Sequence, residues 1–143
     1  ELDWGTPGAH SNTYGGNCLA CAGSLATLDV IEEERVVEQA GRKGEHVRKR
    51  LEEIMERFEN LGDVRGLGMM RALELVEDRR SKMPAPKLRN EIVANLLRNG
   101  VVALGCGRSS IRLIPPLTIS DENLETGMRL LEESIADAVR ERA

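Results

Sequence analysis

The sequence predicts an α+β layer, in which a small, mostly antiparallel sheet is covered by helices on one side. Two observations carry this. Helical and strand periods follow one another in the order loop, helix, helix, strands, helix, strands, helix, with no internal repeat. Glycines at Gly66 and from Gly105 to Gly107 separate short apolar runs, and such tight connections join antiparallel strands. The order lacks the repeated strand-helix-strand units of a complete doubly wound domain.

Residues 1 to 17 are dense in Gly, Asn, Thr and Ser without an apolar period, and read as a loop rich in turns. From Cys18 onward Leu19, Ala22, Ala26 and Val30 or Ile31 recur every three or four residues, as in a buried helix, with Asn17 placed to cap it. A second helix is predicted from about Glu33 to Phe58, since Ala40, Gly44, Val47, Leu51, Ile54 and Phe58 share one stripe. Glu38 with Arg42, Glu45 with Lys49 and Glu53 with Arg57 stand four apart in the favoured orientation and predict a solvated outer face. The run is too short for a sustained coiled coil, so this helix is expected to pack on its own domain.

Asn60-Leu61-Gly62-Asp63 ends that helix, and Val64 to Val76 reads as two strands or one strand bent at its glycines. The charged, proline-bearing run from Glu77 to Lys87 reads as an exposed connection. Leu88, Ile92, Val93 and Leu96 mark a third helix, with Asn99-Gly100 where a left-handed C-cap is wanted. Val101 to Leu104 and Ser110 to Ile114 are predicted strands flanking a turn at Gly105-Cys106-Gly107. Ser120 caps the last helix, whose buried stripe is Leu124, Met128, Leu131, Ile135 and Val139.

The chain has 143 residues, 41% of them hydrophobic and 31% charged, with a formal net charge of −4. This is about one domain of a soluble globular protein. No apolar run is long enough to span a membrane, and Glu1-Leu2-Asp3-Trp4 does not resemble the start of a signal peptide. Lys and Arg are interleaved with acids, which argues against a nucleic-acid surface. Three cysteines are too few for a disulfide framework, so a reducing, cytoplasmic compartment is expected. Trp4, Tyr14 and Phe58 are the only aromatics, so the core must be aliphatic.

Two features could carry chemistry. His10-Ser11-Asn12-Thr13-Tyr14-Gly15-Gly16-Asn17 runs into a helix and offers a hydroxyl, flexible backbone and a positive dipole end, which suit a phosphate. A plain turn before a helix satisfies the same pattern, and no Walker or dinucleotide spacing accompanies it. In Ile111-Arg112-Leu113-Ile114, alternation puts Arg112 on the face opposite Ile111 and Leu113, where its guanidinium could fork onto a carboxylate. An edge-strand arginine in a surface salt bridge is the simpler account. Cys18 and Cys21 have C-x-x-C spacing but neither a second pair nor a redox-type surrounding, so they and Cys106 read as small core residues. His10 and His46 are too far apart for a shared metal or nucleophile role. Gly66-Leu67-Gly68 and Gly105-Cys106-Gly107 are too short for nucleotide loops.

Taken together, HSNTYGGNCLACAGSLATLDVIEEE, VRGLGMMRALELV and RNGVVALGCGRSSIRLIPPLTIS closely resemble the C-terminal part of the class III pyridoxal-phosphate-dependent aminotransferases. The resemblance covers essentially the whole chain and is nearest to the 4-aminobutyrate type. It implies the small C-terminal domain of a fold-type I aminotransferase, residues 33–143, preceded by a loop and helix of the large domain, residues 1–32. It implies that Thr13 reaches the phosphate of pyridoxal 5'-phosphate held by the other subunit of a homodimer, with Gly15, Gly16 and Asn17 shaping the loop. It also implies that Arg112 binds the carboxylate of the amino acid substrate. Cys18 stands where the family usually has a proline, a change that costs little at a first helical position.

The family's reaction needs a lysine joined to the cofactor and an aspartate at its ring nitrogen, both upstream of the Thr13 motif. Lys43, Lys49, Lys82 and Lys87 all follow it, so no catalytic residue is expected here. The chain is therefore expected to be part of a longer aminotransferase acting on an ω- or α-amino acid and a 2-oxo acid. By itself it is expected to be inactive, to bind no cofactor and no metal, and to expose apolar surface on its first helix. Two other readings stay open: a racemase or aminomutase on the same scaffold, and a non-catalytic interaction module.

Overall fold

The computed structural model describes residues 12–142. The loop expected over residues 1–11, with Trp4 and His10, lies outside them. Contacts divide the chain into a unit ending at Val36 and a second running from Val37.

In the first unit a turn leads into α1 (Cys18–Glu33). Asn17 is the N-cap, its side-chain oxygen accepting from Ala20 N–H at 2.9 Å. This satisfies one of the donors a helix start leaves unpaired. The spacing reads as that of a buried helix, but α1 has no buried residue, and Leu19, Leu25 and Leu28 are exposed, in line with the apolar surface expected on this helix in the chain by itself. Cys18 and Cys21 are likewise exposed and Cys106 is only half-buried, which corrects their reading as core residues. Helical spacing aligns apolar side chains on a face but does not supply what covers it.

From its second residue onward α2 (Val36–Arg57) belongs to the second unit, with β1 (Leu61–Leu67), β2 (Met70–Leu75), α3 (Pro86–Arg98), β3 (Leu104–Cys106), β4 (Ser110–Leu113) and α4 (Asp121–Arg140). The strands form one antiparallel sheet in the order β1-β2-β4-β3. Leu73 and Ile111 lie in register and are fully buried beneath Val47, Leu51, Ile54, Leu88, Ile92, Leu96 and Leu131 of the helices. The helices thus cover one face of the sheet and leave the other open, giving the α+β layer expected from the element order.

Local signals placed several boundaries. Ser120 accepts from Asn123 N–H and caps α4, with Asp121 and Glu122 in its first turn. Gly100 has φ +82; its N–H donates to Leu97 O and Val101 N–H to Leu96 O, the paired bonds of a left-handed helix stop. Two readings shift. The third strand is Leu104–Cys106 rather than Val101 to Leu104, and its turn begins at Gly107. A Cβ on Gly105 would fall 2.8 Å from the Arg89 side chain, so this glycine is a strand residue that admits a neighbouring helix's arginine. The connection after Glu77 is also less exposed than expected: Val76 bridges Pro84, and Ala85 is fully buried before Pro86 opens α3.

On α2, Glu45 and Glu53 form intrahelical ion pairs with Arg48 and Arg50 rather than with Lys49 and Arg57, and further pairs reach α4. Arg42 meets Asp121, Arg50 meets Glu125, and Arg57 meets Glu132. This face of α2 is therefore a seam rather than a fully solvated surface. Lys43, expected on a polar face, is buried and donates to Ile119 O.

Candidate functional site

The open face of the sheet follows from strand alternation. With Leu73, Leu75 and Ile111 turned to the helices, Ala72, Glu74, Ser110 and Arg112 turn away from them. Register places Arg65, Ala72, Arg112 and Leu104 in one row across the four strands, and Asp63, Glu74, Ser110 and Cys106 in the next.

Arg112 is exposed at the centre of the first row, on an inner strand rather than an edge. Its guanidinium makes no hydrogen bond or ion pair with any described residue. A surface salt bridge, the simpler account of this arginine, is absent among the described residues. The other arginine of the row is fully engaged. Arg65 Nη1 donates to Asp63 Oδ2 at 2.8 Å and Glu74 Oε2 at 2.7 Å, and Nη2 donates to Ser110 Oγ at 3.0 Å. Its head lies over Ser110, which is only 4% exposed. These two carboxylates hold the Arg65 guanidinium even more firmly in its charged form. The face thus presents one guanidinium without an anion, flanked by Ala72 and the exposed Leu104, which suits a carboxylate on an apolar stem.

Arg71 occupies the opposite face and was not foreseen. It is 7% exposed, donating from Nη1 to Gly66 O and from Nη2 to Gly44 O, so it ties the hairpin to α2. Only its place inside an apolar strand hinted at burial.

In the first unit, Thr13 lies in the turn before α1. Gly15 N–H donates to Asn12 O, Tyr14 N–H to Asn12 Oδ1 at 3.2 Å, and Asn17 Nδ2 to Tyr14 O at 2.6 Å, while Gly16 has φ +73. These bonds fix the backbone on both sides of Thr13. Its exposed hydroxyl has no partner among the described residues. A hydroxyl donor beside a capped helix N-terminus fits the phosphate ester of pyridoxal phosphate. The chain's four lysines all follow Thr13 in the sequence. Lys43 is held at Ile119 O, and Lys49, Lys82 and Lys87 lie exposed on α2, the 77–85 connection and α3.

Two clefts in the second unit do not compete with this face. One of about 290 Å³, with Val102, Pro115 and Met128 in its wall, has no titratable side chain in its lining. The other, of about 280 Å³, gathers Arg42, Lys43, His46, Asp121 and Glu125, all of them already paired. Among the described residues no group of three or more His, Cys, Asp or Glu could hold a metal ion, and no helix is long and apolar enough to cross a membrane.

The family described as aminotransferase class-III matches residues 3–135. The chain is 40% identical over 134 residues to a 5-aminovalerate aminotransferase of Pseudomonas aeruginosa, spanning 92% of this chain and 32% of that protein. It is 37% identical to the 4-aminobutyrate aminotransferase of Escherichia coli (96% and 33%) and 36% identical to a leucine/methionine racemase of Thermococcus litoralis (92% and 30%). A transaminase structure from the marine bacterium Virgibacillus superposes with a TM-score of 0.87 at 27% identity, over 94% of this chain and 32% of that one. The chain spans about a third of the length of the curated relatives it matches.

Proposed function

The chain belongs to the class III aminotransferases, and from this we propose that the complete protein moves an amino group from an ω- or α-amino acid to a 2-oxo acid such as 2-oxoglutarate. The donors favoured are of the 4-aminobutyrate, 5-aminovalerate or ornithine kind, after the relatives' activities. The observation that carries the reading is Arg112, an exposed guanidinium with no partner among the described residues, on a sheet face whose two carboxylates are both held by Arg65.

In this proposal Arg112 receives the substrate carboxylate through two parallel N–H donors and so orients the amino group at the far end of the molecule. Leu104 and Ala72 line the path of its methylene stem. Thr13 donates its hydroxyl to the phosphate of pyridoxal 5'-phosphate across a homodimer interface. The cofactor supplies an electron sink that neither residue could provide. No residue of this chain is assigned a proton-transfer role, and the chain alone is expected to be inactive and to bind no cofactor. Residues 1–32 are assigned to the edge of a large domain and 33–143 to a small domain, a division supported by the contact boundary beside Val36. The three free thiols suit a reducing, cytoplasmic setting.

The test is product analysis on the complete protein. Stoichiometric glutamate formation from 4-aminobutyrate or 5-aminovalerate and 2-oxoglutarate is expected. A second reading, a racemase on the same scaffold, is favoured by the likeness to the Thermococcus litoralis enzyme. Inversion of an amino acid without 2-oxo acid, and no glutamate with it, would replace the first reading by the second.

A further inference from the structure

Glu74 is a diagonal neighbour of two arginines on the open face. It stands opposite Asp63 on β1, two residues along from Arg65, and opposite Ser110 on β4, two residues along from Arg112. Diagonal positions across an antiparallel pair lie about 7–8 Å apart, within reach of long side chains. One carboxylate therefore has two candidate guanidiniums, yet it is bonded to Arg65 alone.

The choice has a visible cause. Arg65 extends across β2 above Ala72, whose methyl group leaves room, and its far nitrogen rests on the buried Ser110 hydroxyl. Asp63 accepts from the same Nη1 that reaches Glu74 and anchors it from behind. Arg65 is thus held by three oxygens from three strands, and in that position it occupies the Glu74 carboxylate. A negative charge left unpaired here would turn to Arg112.

We infer that Arg65 is a positioning residue for Arg112: by holding Glu74 with support from Asp63 and Ser110, it keeps the Arg112 guanidinium open to an incoming carboxylate. The inference rests on the reading of Arg112 as the carboxylate-binding arginine. It adds that the availability of Arg112 is maintained by a neighbouring ion-pair network. Loss of Arg65 would convert Glu74 into an internal competitor for the substrate.

Two readouts test it. In the chain itself, hydrogen exchange at Arg112 Nε–H, followed by NMR with ¹⁵N-labelled arginine, should slow severalfold in Arg65→Met and return to the starting rate in Arg65→Met/Glu74→Gln. In the complete protein, Arg65→Met should raise KM for a carboxylate-bearing amino donor about threefold to fivefold, the size of a surface ion pair, with little change in kcat. Glu74→Gln added to it should restore KM, and Arg65→Lys, which keeps a cation on Glu74, should stay near the parent value. An unchanged Arg112 exchange rate in Arg65→Met would overturn the inference. So would a raised KM that Glu74→Gln fails to restore, since that marks a merely structural loss. Failure of the underlying reading is distinguished by Arg112→Ala, which would then leave KM unchanged whatever the exchange data show.

Discussion

Gly44 on α2 meets Gly68 in the β1–β2 turn backbone to backbone: a Cβ added at Gly44 would lie 2.2 Å from the Gly68 carbonyl oxygen. No rotamer relieves that overlap, because the obstacle is main chain. Beside it Arg71 donates to Gly44 O, so contact and hydrogen bond together fix the hairpin against the helix. Gly44→Ala should therefore destabilise the fold by about 1–3 kcal/mol despite alanine's better helix propensity. Gly41 on the same helix has nothing within 4 Å of such a Cβ, and Gly41→Ala should stabilise by about 0.5–1 kcal/mol. Urea unfolding of the two variants measures the opposite signs.

Arg79 closes the C-terminal end of α2 from the far side of the hairpin. It donates from Nη2 to Met55 O and Phe58 O at the helix end, where carbonyls lack intrahelical partners, and from Nε to Leu61 O at the start of β1. Arg79→Met keeps the stem and removes the donors, and should cost about 1–3 kcal/mol in chemical denaturation. A loss below about 0.3 kcal/mol would mean that water replaces the arginine.

The seam between α2 and α4 makes stability depend on pH. Hydrogen bonding by His46, at 2.7 Å, with the nearby Arg50 charge, lowers the Glu125 pKa. Arg42 does the same for Asp121. A carboxyl group with a lower pKa folded than unfolded stabilises the fold above its unfolded value, and that contribution is lost as pH falls through the folded one. Stability should thus be level above about pH 5 and decline through about pH 4 and below, less steeply at high salt because the groups are half-exposed. Glu125→Gln should flatten this acid limb, as read from urea midpoints along a pH series.

These partnerships mark the limit of what the sequence makes legible. Periodicity gave the buried faces of α2, α3 and α4, and local chemistry gave the caps at Asn17, Gly100 and Ser120, because a cap depends on residues within one turn. The pairing of Arg42 with Asp121 depends on a helix 79 residues away, which no i,i+4 rule contains. Gly105 read as a turn because glycine's usual role is conformational, whereas here it makes room for Arg89. At the site, alternation put Arg112 on the correct face. Its lack of a partner among the described residues, and the capture of Glu74 by Arg65, required the strand order β1-β2-β4-β3. The exposed apolar surface of α1 was legible too, because its leucines recur at helical spacing while the resemblance places their cover outside the chain.

The central claim is that Arg112 receives the substrate carboxylate, and the most direct measurement compares kcat/KM of the complete protein and its Arg112→Ala variant. The donors are an amino acid and an amine of equal length without the carboxylate. A charge-assisted hydrogen bond contributes about 1.5–3 kcal/mol, so losing the fork should lower kcat/KM for the amino acid by about 100-fold or more. The amine should be affected by less than about threefold, the size of a surface charge effect. Equal values for parent and variant with every carboxylate-bearing donor would contradict the assignment.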